Sequence, residues 1–85
     1  MRIQFDFSLL RGRIIEKYGS CSALASAIKM PRDALSARLN NRVAFKPDEI
    51  FLICSADVLD IPDTEIGRYF LRRKFDFSNS YKEDV

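Results

Sequence analysis

Apolar positions recur at two spacings along the chain, and the spacing divides it into segments. At the start, Ile3, Phe5 and Phe7 alternate with Arg2, Gln4 and Asp6, a period of two that predicts a short strand. From residue 8 the period lengthens. Leu10, Ile14 and Tyr18 stand four apart with Ile15 beside them, which predicts a helix over about residues 8–18. Asp6 or Ser8 can supply its cap oxygen, and Gly19 stops it. Leu24, Ala25 and Ile28 share one face of a second helix, about residues 21–28. Leu35 and Leu39 share one face of a third. It restarts at about residue 31, where Pro31 suits a first helical position, and ends at Asn40-Asn41-Arg42. Residues 43–46 read as a loop. A fourth helix opens at Pro47, with Asp48 and Glu49 at the positive end of its dipole, and runs to about Leu59. It is apolar nearly all round, which predicts a central or partner-covered position. Ile61-Pro62 breaks it. A fifth helix starts at Pro62 or Asp63 and reaches about Arg72. Residues 74–78 alternate again, and residues 80–85 are polar and read as a loose tail.

The stretch Ser20 to Asn41 carries the most specific pattern. Two helices that cross at roughly 90–120° need a short side chain where they touch, and Ala25 supplies it. Ile28 and Met30 flank the turn as an apolar pair, and Leu35 and Leu39 anchor the second helix. That arrangement is the helix-turn-helix, whose second helix lies in the DNA major groove. In this pattern the chain resembles the Cro and CI repressor superfamily. Phe5-Asp6-Phe7-Ser8 ahead of it, with Ile61-Pro62-Asp63 and Glu65-Ile66-Gly67-Arg68-Tyr69-Phe70 behind, make it similar to small phage and prophage regulators of mostly Gram-positive bacteria. The resemblance covers about residues 5–71. Two positions depart from it. Lys29 stands where the turn usually carries glycine, so either the lysine takes a strained positive φ or the turn has another shape. Met30-Pro31 offers no capping oxygen where a Ser or Thr is usual.

Composition narrows the function without identifying it. The 85 residues make one domain, residues 1–85, with a core of about 5–72 and a tail of 73–85. No apolar run approaches the roughly 20 residues of a membrane span. The first residues lack the continuous apolar stretch of a signal peptide, so a cytoplasmic setting is expected. Cys21 and Cys54 make no disulfide framework. With no His, the commonest general base is missing. Two cysteines alone make no structural zinc site, and Gly12, Gly19 and Gly67 form no phosphate-binding loop. No enzyme activity and no cofactor are therefore expected. The net charge of +2 hides an asymmetry: residues 1–42 hold eight Arg/Lys and three Asp/Glu, whereas residues 43–85 hold six and nine. The basic half contains the helix-turn-helix, as a DNA-facing side requires.

On the third helix, Arg32, Asp33, Ser36, Ala37 and Asn40 face away from Leu35 and Leu39, and they are the candidate base-reading residues. Arg32 can pair with guanine or with a phosphate. Asp33 can accept from cytosine N4 or turn back to the uncapped helix start. Ser36 and Ala37 let the helix sit deep, and Ala37 can meet a thymine methyl. Ser22, Arg38, Asn41, Arg42 and Lys46 are the candidate phosphate contacts. The expected fold is all-α: a five-helix, lambda-repressor-like DNA-binding domain with short terminal strands. The expected function is a sequence-specific transcriptional regulator of a phage or prophage that binds double-stranded DNA as a homodimer. The alternative is a protein-interaction modulator that binds a partner phage repressor instead of reading DNA alone.

Overall fold

In the computed structural model, residues 4–74 are described. They form five α-helices, α1 (Ser8–Tyr18), α2 (Cys21–Ala27), α3 (Arg32–Leu39), α4 (Pro47–Cys54) and α5 (Ile66–Phe70), with a 3-10 turn at Asp63–Glu65 before α5. The architecture is all-α, as the apolar periodicity predicts. Ile3, Phe75 and Phe77 of the expected terminal strands, and the expected loose tail at 80–85, lie outside the described residues. Among the described residues no helix is long and apolar enough to cross a membrane.

The start of α1 is held by Asp6, whose Oδ1 accepts the N–H of Ser8 at 2.9 Å. That bond chiefly holds the Asp6 carboxyl below its ordinary range, with Arg72 and Lys74 adding to it. The helix ends where Gly19 turns left-handed at φ 83° and its N–H returns to the carbonyl of Ile15. Between these ends Leu10 and Ile14 are fully buried. Ser20 caps α2 by accepting the N–H of Ala23 at 3.1 Å. Leu24 and Ala25 then enter the core, where Leu35 and Leu39 of α3 join them.

Two helix bounds differ from expectation. α4 stops at Cys54, not near Leu59. Ser55 is extended, and its hydroxyl donates to the carbonyl of Leu52 at 2.8 Å, closing the last turn. Residues 55–60 then loop back: the Asp60 N–H reaches Ser55 O and the Ile61 N–H reaches Cys54 O. Asp60 turns at φ 53°. The loop drops Leu59 and Ile61 into the core as separate anchors, and no apolar periodicity distinguishes that from two more helical turns. Arg13 of α1 fastens the loop by donating to the carbonyls of Leu59 and Asp60. α5 is likewise shorter than expected, ending at Phe70 rather than Arg72, because residues 72–74 leave the helix to meet the N-terminal segment. There Asp6 N donates to Arg72 O at 2.7 Å and Lys74 N to Gln4 O at 2.9 Å. The terminal pairing is thus an antiparallel bridge of Phe5 with Arg73.

Three rings join segments distant in sequence. Phe45, from the loop before α4, meets Phe7 edge-on at 5.4 Å and Phe70 at 5.1 Å. Edge-to-face geometry sets the positive ring edge against a negative face, a gain beyond area burial.

Candidate interaction surface

The segment joining α2 to α3, residues 28–31, sets how α3 is presented. Ala25 is 1% exposed, and its carbonyl accepts the N–H of Met30 at 2.9 Å. A larger side chain at residue 25 would push the two helices apart. Lys29 adopts φ 57°, the positive value that makes a lysine strained there. Pro31 is the N-cap and not the first helical residue, so α3 begins one residue later than expected, at Arg32. Asp33 then falls at the second helical position, where a capping box needs its acid at the third. No side chain caps α3, so the structure does not give Asp33 that role.

With Leu35 and Leu39 buried, α3 turns the five candidate base-reading residues outward: Arg32, Asp33 and Asn40 are exposed, and Ser36 and Ala37 half-buried. Arg32, Ser36 and Asn40 follow one another at intervals of four, one row along the helix. The far end of the row is organised by a residue that sequence reasoning missed. Arg11 of α1 donates Nη2 to Leu39 O at 3.2 Å and to Asn40 Oδ1 at 3.1 Å. Asn40 Nδ2 in turn donates to Ser36 Oγ at 3.2 Å. Asn40 is thereby oriented with its oxygen toward α1 and its amide nitrogen along α3. A guanidinium at a helix C-terminus also meets the negative end of the dipole. No local pattern marks Arg11, because its partners lie 28 and 29 residues away.

The candidate phosphate contacts are placed differently from one another. Ser22, Arg42 and Lys46 are exposed. Arg38 is turned inward instead: Nε and Nη2 grip both oxygens of Glu49 at 2.8 and 2.9 Å, and Nη1 donates to Ala34 O. The two side chains are only 13% and 16% exposed. Arg38 therefore ties α3 to α4, and a phosphate contact would require opening that pair. Glu49, held by Arg38 above all, lies below the ordinary carboxylate range, and its Oε1 also accepts the N–H of Lys46 at 2.9 Å. Asn41 is bound into the fold as well. Its Oδ1 accepts from Phe5 N at 2.8 Å, and its Nδ2 donates to Phe5 O at 3.0 Å.

A second exposed surface lies on α4. Phe51 is 58% and Leu52 47% exposed, which excludes a fully central helix and leaves the partner-covered position that its apolar character also allows. Only Ile53 and Cys54 of this helix are buried, with Ile50 packed against the core.

Over residues 3–73 the chain matches a family described as protein of unknown function (DUF739). Among solved structures it is similar to the solution structure of the modulator of repression (MOR) of the temperate bacteriophage TP901-1 from Lactococcus lactis. The identity is 35% and the TM-score 0.69, over 78% of this chain and 86% of that one. That relative is, by its name, a phage regulatory protein. No curated protein matches the chain.

Proposed function

The chain belongs to the DUF739 family, and from that premise we propose that it is a phage or prophage regulator that acts by binding a partner repressor. The observation that carries this reading is the 35% identity to a modulator of repression, across most of both chains. It favours the protein-binding alternative over autonomous reading of DNA. The architecture supports it, since the outward face of α3 and the apolar face of α4 both stand open to a partner. The test is calorimetric titration of the full chain into the purified repressor of the same phage or prophage. A saturable complex of fixed stoichiometry is expected. No heat and no co-elution at micromolar concentration would remove the reading.

One observation favours a second reading, direct DNA binding as a dimer: the row of Arg32, Ser36 and Asn40 faces outward, with Arg32 and Asn40 exposed and Ser36 half-buried, on a helix that follows a tight turn. On that reading Arg32→Ala costs about 1–3 kcal/mol on the best operator and relaxes one base pair, whereas Arg42→Ala weakens all sequences alike and lowers the salt slope by about one. Equal loss on operator and scrambled DNA for Arg32→Ala would exclude base reading by Arg32.

A further inference from the structure

The outward side of α4 combines an acid with two exposed apolar side chains. At 100° per residue, Asp48 projects between Phe51 and Leu52, three and four positions on. The three exposed side chains form one patch, with the acid about one turn nearer the helix start than the two apolar side chains. The neighbouring acid, Glu49, is neutralised by Arg38. Asp48 forms no ion pair among the described residues; its Oδ1 accepts the N–H of Glu49 at 3.0 Å.

A second copy is a poor occupant for this face. Two-fold packing of α4 on α4 leaves Asp48 without a cation: a parallel pair sets it against its mate, and an antiparallel pair sets it against the apolar end of the facing helix, so the carboxylate is desolvated unpaired. The exposed parts of Phe51 and Leu52 amount to roughly 200 Å², so a stable partner must also cover surface beyond them to reach roughly 800 Å² a side. A partner that reaches past the helix and supplies a cation meets both requirements. We propose that this α4 face docks the repressor, and that the repressor meets it with an apolar cleft carrying a lysine or arginine opposite Asp48. The inference rests on the partner-binding function proposed above and names the surface and its chemistry.

The test is titration of the purified repressor of the same phage or prophage with the full chain and with Phe51→Ser, Asp48→Lys and Arg32→Ala. Phe51 and Asp48 are exposed, so these variants keep the circular dichroism of the parent. Phe51→Ser and Asp48→Lys should each weaken binding about tenfold or more, while Arg32→Ala binds like the parent. If the parent binds and both α4 variants bind equally well, the docking surface is wrong and the function stands. Loss confined to Arg32→Ala would move the partner to α3 and overturn the inference. A parent homodimer in sedimentation that Phe51→Ser dissociates would make a second copy the occupant, against the proposal. If the parent itself does not bind, the function and this surface fall together.

Discussion

Lys29 and Asn41 both hold positive φ, at 57° and 63°, and their side chains give them opposite sensitivities. An L-residue other than Asn or Asp pays roughly 1–2 kcal/mol in this region, while glycine there costs about 0.4–1 kcal/mol in unfolded-chain entropy. Lys29→Gly is therefore expected to raise stability by about 0.5–1 kcal/mol, seen as a higher urea midpoint at unchanged slope. An unchanged or lower midpoint would show that the lysine is not strained. Asn41 tolerates the conformation and also grips both backbone groups of Phe5. Asn41→Ala loses both bonds and takes on the backbone penalty that asparagine largely avoids, so about 1–3 kcal/mol of destabilisation is expected in the same urea assay. The cysteines separate in a similar way. Burial, with Asp63 nearby, pushes the Cys54 thiol up to about 11, whereas Cys21 is half-buried at the start of α2. A maleimide at pH 8 should label Cys21 readily and Cys54 only on unfolding. Two equally fast thiols in a peptide map would contradict this.

The α3–α4 tie is the element-scale feature most open to test. Arg38 and Glu49 meet through two charge-assisted bonds, each of a type worth about 1.5–3 kcal/mol net in favourable surroundings, discounted here because both groups keep some solvent contact. Arg38→Met or Glu49→Gln should cost about 1–2 kcal/mol, with a double-mutant cycle showing coupling. Because the folded-state pKa of Glu49 is lowered, its contribution is fully present above the ordinary glutamate value of about 4.3 and is lost as pH falls through the lower folded value. The stability gap between parent and Glu49→Gln should thus be constant at neutral pH and close below about pH 4. A gap that persists at pH 2 would mean that the carboxylate charge is irrelevant. α1 is readable from local sequence to the residue, Ser8–Tyr18, because its stripe, the Asp6 cap oxygen and the Gly19 stop are all local. α4 reads too long because Val58 and Leu59 continue an apolar run whether they lie on a helix or in a loop that feeds the core. Arg38 reads as a phosphate contact for a related reason: its partner is 11 residues away, and an arginine four residues from Ala34 on a basic helix has the same local pattern in either role.

At the scale of the whole molecule, composition and periodicity suffice for five helices and for part of the core: Leu10, Ile14, Leu24, Ala25, Leu35 and Leu39 are all buried, whereas Ile15, beside the α1 stripe, is 54% exposed. What the sequence does not reveal is how segments close on one another. The Phe7–Phe45–Phe70 ring cluster and the hydrogen bonds of Arg11 to Leu39 and Asn40 join residues whose spacing follows no period. The outward row on α3 is readable because α3 is short and its buried face is marked by two leucines. The all-round apolar character of α4 allows it a central or a partner-covered position, but does not single out Phe51 and Leu52 as the exposed side chains. Charge asymmetry suggests a DNA-facing half, yet the relative with 35% identity is a modulator of repression, and the proposed function follows that likeness. The measurement that bears most directly on it is an operator titration in three arms: this chain alone, the repressor alone, and both together at fixed salt. Partner binding predicts that the chain alone leaves operator fragments unshifted at concentrations where, added to the repressor, it moves the repressor's half-saturation point. A specific shift by the chain alone, with the repressor's titration unchanged by its presence, would contradict that account and make the chain a DNA reader in its own right.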